Sequence, residues 1–396
     1  MAVTLQSITF CHNVADPARS ALRIRRNYAT PIQSPKWTNG GPGGFADAPA
    51  AYARGAVAAP SVQVGLTGGT PGSVLWVRAT GGKLLGDPAA AQVSFDANGS
   101  AAAMLALVEH DLIEGSVTVT DETLTWQISP DNRTWSWLAT TRHRVYLTLA
   151  LPQAPWTQGA AQGGTPPVNE PWTDVLDWAC AWAAGLDDVS EVAEQITQAV
   201  NGNGNAAGGV VYEPVRGATT YSAFGRFQCT AFLARLNGAN PQSNFVNCAD
   251  CASIVTTFAN ILGCRLWELR LSPVAGDGFD INPVIGIGGT AFGAPFQDRS
   301  YSFSFHEVAW EEGPQGQDGI YDACLQVNGN ELERTRTPDT GHQVAFLSAG
   351  EPFTDGDGAD TFLYREQLAV KTLIPGIVPR YSWLCESGTM TRRPVR

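Results

Sequence analysis

The chain has 396 residues, 44% apolar and 9% aromatic with 12 Trp, which supplies folded cores and exceeds the length one core usually holds. With 25 basic against 37 acidic residues, the net charge of −12 argues against nucleic acid and anionic membrane surfaces as main partners. No run approaches the roughly 18 uninterrupted apolar residues of a membrane span. Met1–Ile8 lacks the charged and apolar regions of a secretory signal, and the eight cysteines are scattered. Free thiols are therefore expected, in a cytoplasmic protein or one exported without a cleavable signal peptide.

Residues 1–155 read as all-β. Candidate strands are Val62–Leu66, Val74–Arg78, Gln92–Asp96, Ser116–Thr120, Leu124–Ile128, Thr134–Leu138 and Val145–Leu149. They are short and evenly spaced, with turn signals such as Gly68-Gly-Thr-Pro-Gly72, Asp96-Ala-Asn-Gly99 and Ser129-Pro-Asp-Asn132 between them. That pattern predicts a β-sandwich, immunoglobulin-like in spacing. Ala101–His110 fits a strand or a short helix. No catalytic grouping falls in this region, so positioning or partner recognition is its expected job.

Residues 156–170 read as a linker, from Thr157-Gln-Gly-Ala-Ala-Gln-Gly-Gly-Thr-Pro-Pro167. An α+β domain is expected over 171–330, with 331–396 as its C-terminal extension and the Arg392-Arg393…Arg396 end as a disordered tail. Trp172–Asn201 reads as a helix, a break at Gly185 and a second helix. Asn201–Gly209 reads as a Gly/Asn-rich connection.

The next segment carries chemistry. Asn247 is a good N-cap, Asp250 stands three residues on as in a capping box, and apolar residues recur at Ala252, Val255, Phe258, Ala259 and Leu262 before a stop at Gly263. Cys248 then takes the first helical position, at the positive end of the dipole. Such positions lower a cysteine pKa from ~8.5 to as little as ~3.5–7.5. Asp250 opposes part of that effect, so a basic partner is required. Cys251, one turn further in, is the alternative thiol or a packing or resolving cysteine. Cys180, Cys229, Cys264 and Cys324 read as small buried hydrophobes.

Tyr301–Trp310 and Gly319–Val327 read as two strands around a turn-rich segment, Glu311 to Gly319. In the first, Tyr301, Phe303 and Phe305 share one face and Ser302, Ser304, His306 and Val308 the other. In the second, Asp322, Cys324 and Gln326 lie opposite an apolar face. A hairpin symmetric about Pro314 sets His306 directly across from Asp322. A thiol at a helix start, a histidine and a carboxylate to orient it are the parts of a cysteine nucleophile system. The Cys248 backbone N–H is the natural first oxyanion donor and Gln242 a second candidate, unless Gln242 is a solvated loop residue. His12, His110 and His143 read as surface or core residues, with His342 a fallback base.

Cys248-Ala-Asp250-Cys-Ala252, Leu262-Gly263, His306 before Ala309-Trp310, and Asp322 sixteen residues after His306 together resemble the transglutaminase-like superfamily of papain-type folds. The resemblance covers about 170–330, the helical segment Trp172–Asn201 included. The chain departs from the family pattern in His-Glu-Val-Ala-Trp and in the extra thiol of Cys251. The resemblance implies a Cys-bearing helix packed on an antiparallel sheet, a Cys248–His306–Asp322 triad, and no cofactor or metal. A protein or peptide amide is the implied substrate.

The expected function is a cysteine-dependent acyl transfer, hydrolytic as a peptidase or deamidase. Three alternatives stay open: a protein-crosslinking transglutaminase, a binding or assembly module on the same fold, and a metal site drawing on the Cys-x-x-Cys pair with Cys264 or His306.

Overall fold

Alternation of apolar and polar residues from Ser61 to Thr67 buries Val62, Val64 and Leu66 on one face, and the same period-2 logic runs through the N-terminal part of the chain. The computed structural model describes residues 2–32, 36–156, 170–203, 209–213, 215–223, 225–239, 243–273, 278–282, 284–292, 302–311, 319–327, 368, 384–386 and 391–396. It is a mixed α/β chain, rich in sheet and with few helices. No described helix is long and apolar enough to cross a membrane.

Contacts divide the chain into two units, 1–188 with 261–263, and 189–260 with 264–396. The first contains β1 (Thr4–Thr9), β2 (Trp37–Thr38), β3 (Ala50–Ala53), β4 (Ser61–Thr67), β5 (Val74–Thr80), β6 (Asp87–Pro88), β7 (Ala91–Ser94), β8 (Ser100–Val108), β9 (Thr118–Ser129), β10 (Ser136–Thr148) and helix α1 (Thr173–Trp182). They form two five-stranded sheets, β2-β1-β4-β8-β6 and β3-β10-β9-β5-β7. Leu5, Ile8, Val62, Val64, Leu105 and Leu107 of one sheet share a core with Val77, Leu124, Trp126, Val145 and Leu147 of the other. All pairings are antiparallel except β10 with β3.

Several sequence expectations change here. Ala101–His110 resolves as a strand, β8. The four short strands predicted between Ser116 and Leu149 are two long ones, β9 and β10. The chain stays extended through Asp121-Glu122-Thr123 because both carboxylates have partners. Glu122 is buried and its Oε1 accepts the Leu84 and Leu85 N–H groups at 2.6 and 3.2 Å. Asp121 pairs with Arg144 directly across the ladder at 2.8 Å. Helix α1 belongs to this unit, whereas the sequence reading began the next domain at 171. Asp177 on α1 accepts from the Tyr146 hydroxyl at 2.7 Å and from Arg144 at 3.3 Å, and Val117 N–H donates to Leu186.

The second unit contains α2 (Val189–Asn203), β11 (Val211–Tyr212), β12 (Ser222–Ala223), β13 (Arg226–Phe227), α3 (Cys229–Leu236), β14 (Phe245–Val246) and α4 (Cys248–Ile261). It continues with β15 (Trp267–Pro273), β16 (Phe279–Asp280), β17 (Val284–Gly286), β18 (Thr290–Phe292), β19 (Ser302–Phe303), β20 (His306–Glu311), β21 (Gly319–Tyr321), β22 (Leu325–Val327) and β23 (Leu384–Glu386). The sheets that matter are β21-β20-β15-β23 and β18-β17-β22, both antiparallel.

Helix α4 begins and ends as its sequence predicts. The Asp250 N–H donates to the Asn247 Oδ1 at 3.1 Å and the Asn247 N–H to the Asp250 Oδ2 at 3.2 Å, a reciprocal cap. Gly263 sits just past the end with φ +106°, where a side chain would be strained. The apolar stripe read from sequence understates the burial, because residues on every face of α4 are buried. Polar members of the helix are matched: Ser253 Oγ donates to Glu268 on β15 at 3.1 Å, and Asn260 exchanges two hydrogen bonds with Leu266.

The predicted His/Asp hairpin is broken and re-registered. Tyr301–Trp310 is not one strand: β19 pairs with β16, and β20 pairs with β15 and β21. Gly319–Val327 likewise splits into β21 and β22, which join different sheets. The ladder runs Ala309↔Tyr321, Trp310↔Ile320 and Glu311↔Gly319, so Asp322 follows the end of β21 at the level of Val308, not of His306.

The end segment Thr391–Arg396 is not a disordered tail. Thr391 bridges Glu268, and Phe227 N–H donates to Pro394. Arg393 donates to both Glu268 and Glu307, two carboxylates that are themselves buried, and Arg392 stacks over Trp267 at 3.7 Å.

Candidate active site

Cys248 is the first residue of α4 and is 5% exposed. The strand before it, β14, pairs in parallel with β11, which sets Tyr212 beside Val246, two residues from the cysteine. Asp250 does not face the thiol as a free charge. Its carboxylate accepts from the N–H groups of Thr220, Tyr221, Ser222 and Asn247 at 2.6–3.2 Å. Burial pushes the Asp250 pKa up and these four donors pull it back. The residue thus ties the 217–222 segment to the start of the helix, with Asn247 Nδ2 donating to Gly217 as a further tie.

His306 opens β20 and is fully buried, as is Asp322. The Asp322 Oδ2 lies 2.9 Å from His306 Nε2. The contact forms from the turn just past the end of β21, where Asp322 leaves the ladder. The Asp322 Oδ1 accepts from Cys324 N–H at 2.7 Å and Leu325 N–H at 3.2 Å, the local turn that ends β21 and starts β22.

Cys248 acts on the same imidazole, adding to the upward pull on its pKa. Burial draws the His306 pKa down. The Asp322 charge and hydrogen bond, joined by those of Cys248, outweigh it and raise the pKa to about 10. The ring is therefore an imidazolium at neutral pH, and its Nε2–H donates to Asp322.

Two aromatic residues at this site carry no sequence signal for it. Phe303 stacks on the His306 ring at 6.1 Å and 22°, and Tyr212 stacks on Phe303 at 6.5 Å and 28°. Burial first, then the neighbouring Cys324, Cys248, Cys251 and Asp322, raise the Tyr212 pKa, so it stays a neutral phenol. Only its register beside Val246 brings it here, and register is not written in a two-residue strand.

Of the remaining predicted residues, Cys251 lies one turn along α4 and is buried. Gln242 and His342 lie outside the described residues. His143 is sandwiched between Ala48 O and Thr141 Oγ1, and its pKa is lowered to about 4 by burial, against the Ala48 hydrogen bond. His12 contacts Ser61. Among the described residues no group of three His, Cys, Asp or Glu side chains is placed to hold a metal ion.

No family model matches the chain, and no curated protein matches it. Among solved structures, the crystal structure of red sea bream transglutaminase is similar at 14% identity and a TM-score of 0.36, over 66% of this chain and 47% of that one. The chain spans about half the length of that protein.

Proposed function

We propose that this protein is a cysteine-dependent acyl-transfer enzyme acting on protein or peptide amides, with water as the usual acceptor. The observation that carries the reading is a buried imidazole, His306, held by Asp322 at 2.9 Å, with Cys248 at the start of α4 among the groups that raise its pKa. Cys248 attacks the amide carbonyl and its proton rests on His306. His306 returns that proton to the departing amine, and Asp322 fixes the ring orientation and stabilises its charged form. The Cys248 N–H, in the first turn where amides have no intrahelical acceptor, faces the developing oxyanion. Water then releases the acyl group from sulfur. Water is preferred as acceptor because it needs no dedicated amine pocket.

The test offers a glutamine-containing peptide with and without a labelled primary amine. Release of ammonia without label incorporation supports hydrolysis. Stoichiometric incorporation of the amine makes the enzyme a transamidase, and an absence of both, with no acyl-enzyme at Cys248, removes the catalytic reading.

A further inference from the structure

Tryptophan is highly buried on average, yet Trp137 on β10 is 68% exposed. It stands on the outer face of the sheet β3-β10-β9-β5-β7, in the first unit. Alternation turns Val77 on β5 and Leu124 and Trp126 on β9 into the sandwich core, and Trp76, Arg78 and Gln127 the other way. The ladder joins these outward residues. Gln127 is level with Arg78 on one side and with Trp137 on the other, and Trp76 is level with the exposed Gln92 of β7. Adjacent strands lie about 4.8 Å apart, so Arg78, Gln127 and Trp137 form a row about 10 Å across.

The side chains of the row are held in place. Trp137 Nε1 donates to Thr140 Oγ1 at 3.4 Å, which ties the indole along β10 and leaves most of the ring in solvent. Arg78 Nε donates to Gln127 Oε1 at 2.9 Å, and the same guanidinium lies over the Trp135 ring, 4.1 Å from its centroid. Gln127 Nε2 and the terminal nitrogens of Arg78 make no hydrogen bond among the described residues. Fixed donors therefore flank a fixed, exposed aromatic ring, and a ligand would have few side chains to order.

The chemistry of the face selects its occupant. A protein partner is met by a central apolar cluster, but the neighbours of Trp137 on this face are Gln127 across the ladder and Thr140 along the strand. A polyanion is opposed by the net charge of −12. An uncharged ligand with a flat C–H face and an oxygen-rich edge satisfies both the ring and the donors, and a chain of pyranose rings has that shape. Its C–H groups meet the negative face of the indole, and its hydroxyl oxygens accept from Gln127 and Arg78. The outward residues lie on four adjacent strands, which suits a polymer better than a single sugar.

We propose that the outer face of β7, β5, β9 and β10 binds an uncharged polysaccharide, with Trp137 as the stacking platform and Gln127 and Arg78 as its hydrogen-bonding groups. This gives the first unit a binding role of its own, independent of the acyl-transfer reading at Cys248.

The experiment runs the full chain through native gels containing, in turn, a soluble β-glucan, a galactomannan, dextran or polygalacturonate, and measures Kd by calorimetry for each polymer that retards it. At least one of the three neutral polymers is expected to retard the chain, and polygalacturonate to bind more weakly. Trp137→Ala is expected to raise Kd about tenfold or more, as the loss of an aromatic anchor does, while Trp137→Phe keeps most of the binding. Gln127→Ala is expected to weaken it severalfold. Met104→Ala, on the other sheet and 47% exposed, is expected to bind as the unsubstituted protein does. Unchanged thermal unfolding checks that each variant is folded. Retardation by none of the neutral polymers overturns the proposal, and so does a Kd that Trp137→Ala leaves unaltered. Tighter binding of polygalacturonate than of every neutral polymer overturns the uncharged ligand. Sedimentation showing self-association that Trp137→Ala abolishes assigns the face to a second copy of the chain instead. All of these outcomes leave the test of Cys248 untouched.

Discussion

Asp322 holds His306 with one carboxylate oxygen and shapes its own backbone with the other. Oδ2 accepts from Nε2 at 2.9 Å, while Oδ1 accepts the N–H groups of Cys324 and Leu325. The turn that ends β21 and the orientation of the imidazole are thus set by the same side chain. The two roles can be separated chemically, since the turn needs an acceptor and the imidazolium needs a charge.

Asp322→Asn keeps an acceptor for the Cys324 and Leu325 amides and removes the charge. The fold is expected to persist, and the His306 pKa, measured by NMR titration, to fall well below about 10. Turnover of a peptide amide is expected to drop on the order of 10²–10⁴-fold with KM little changed. A variant with an unaltered imidazole titration and full turnover would show that the carboxylate only shapes the turn.

Cys248→Ala replaces a small buried side chain and is expected to fold normally. Iodoacetamide at neutral pH is expected to label Cys248 first in the unsubstituted protein, and hydrolysis to be abolished in the variant. Retained hydrolysis in Cys248→Ala moves the nucleophile elsewhere, with Cys251 next in order.

His306 binds its proton more tightly in the folded chain, where its pKa is about 10, than at the ordinary imidazole value of 6.5. Its contribution to stability is fully present below pH 6.5 and is lost as the pH rises toward 10. Urea unfolding at pH 6 and pH 9 is expected to show a fall in stability that is smaller in Asp322→Asn. Equal pH dependence in the two proteins would place the imidazolium elsewhere.

Arg393 donates to Glu268 and Glu307, and Glu307 is the residue after His306. Burial pushes the Glu268 pKa up to about 7, against the pull of Arg393. Arg393→Met leaves the buried Glu268 without its cation, while Glu307 keeps Arg270 at 3.5 Å, and the expected loss is about 3–5 kcal/mol at pH 8. At pH 5, where Glu268 is protonated with or without the arginine, the loss is expected to be smaller. Urea denaturation at the two pH values reads the difference directly.

Local chemistry was legible where the signal is local. The start of α4 at Cys248 follows from Asn247 and Asp250, and its end from Gly263, because caps involve only neighbouring residues. His306 opens a strand as expected, but Asp322 lies in the turn after β21, so the register expected from sequence does not set its position.

What the sequence by itself determined is therefore a cysteine at a helix start and a histidine that opens a strand. The tertiary structure decided the rest. It chose the ladder register, split both predicted strands between sheets, set Tyr212 and Phe303 beside the imidazole, and inserted Arg393 between two buried glutamates. The physical reason is the range of the interactions: caps and alternation act within a few residues, whereas pairing, stacking and charge burial depend on segments about 90 to 170 positions apart in cases such as Tyr212 with Phe303 and Thr230 with Arg396.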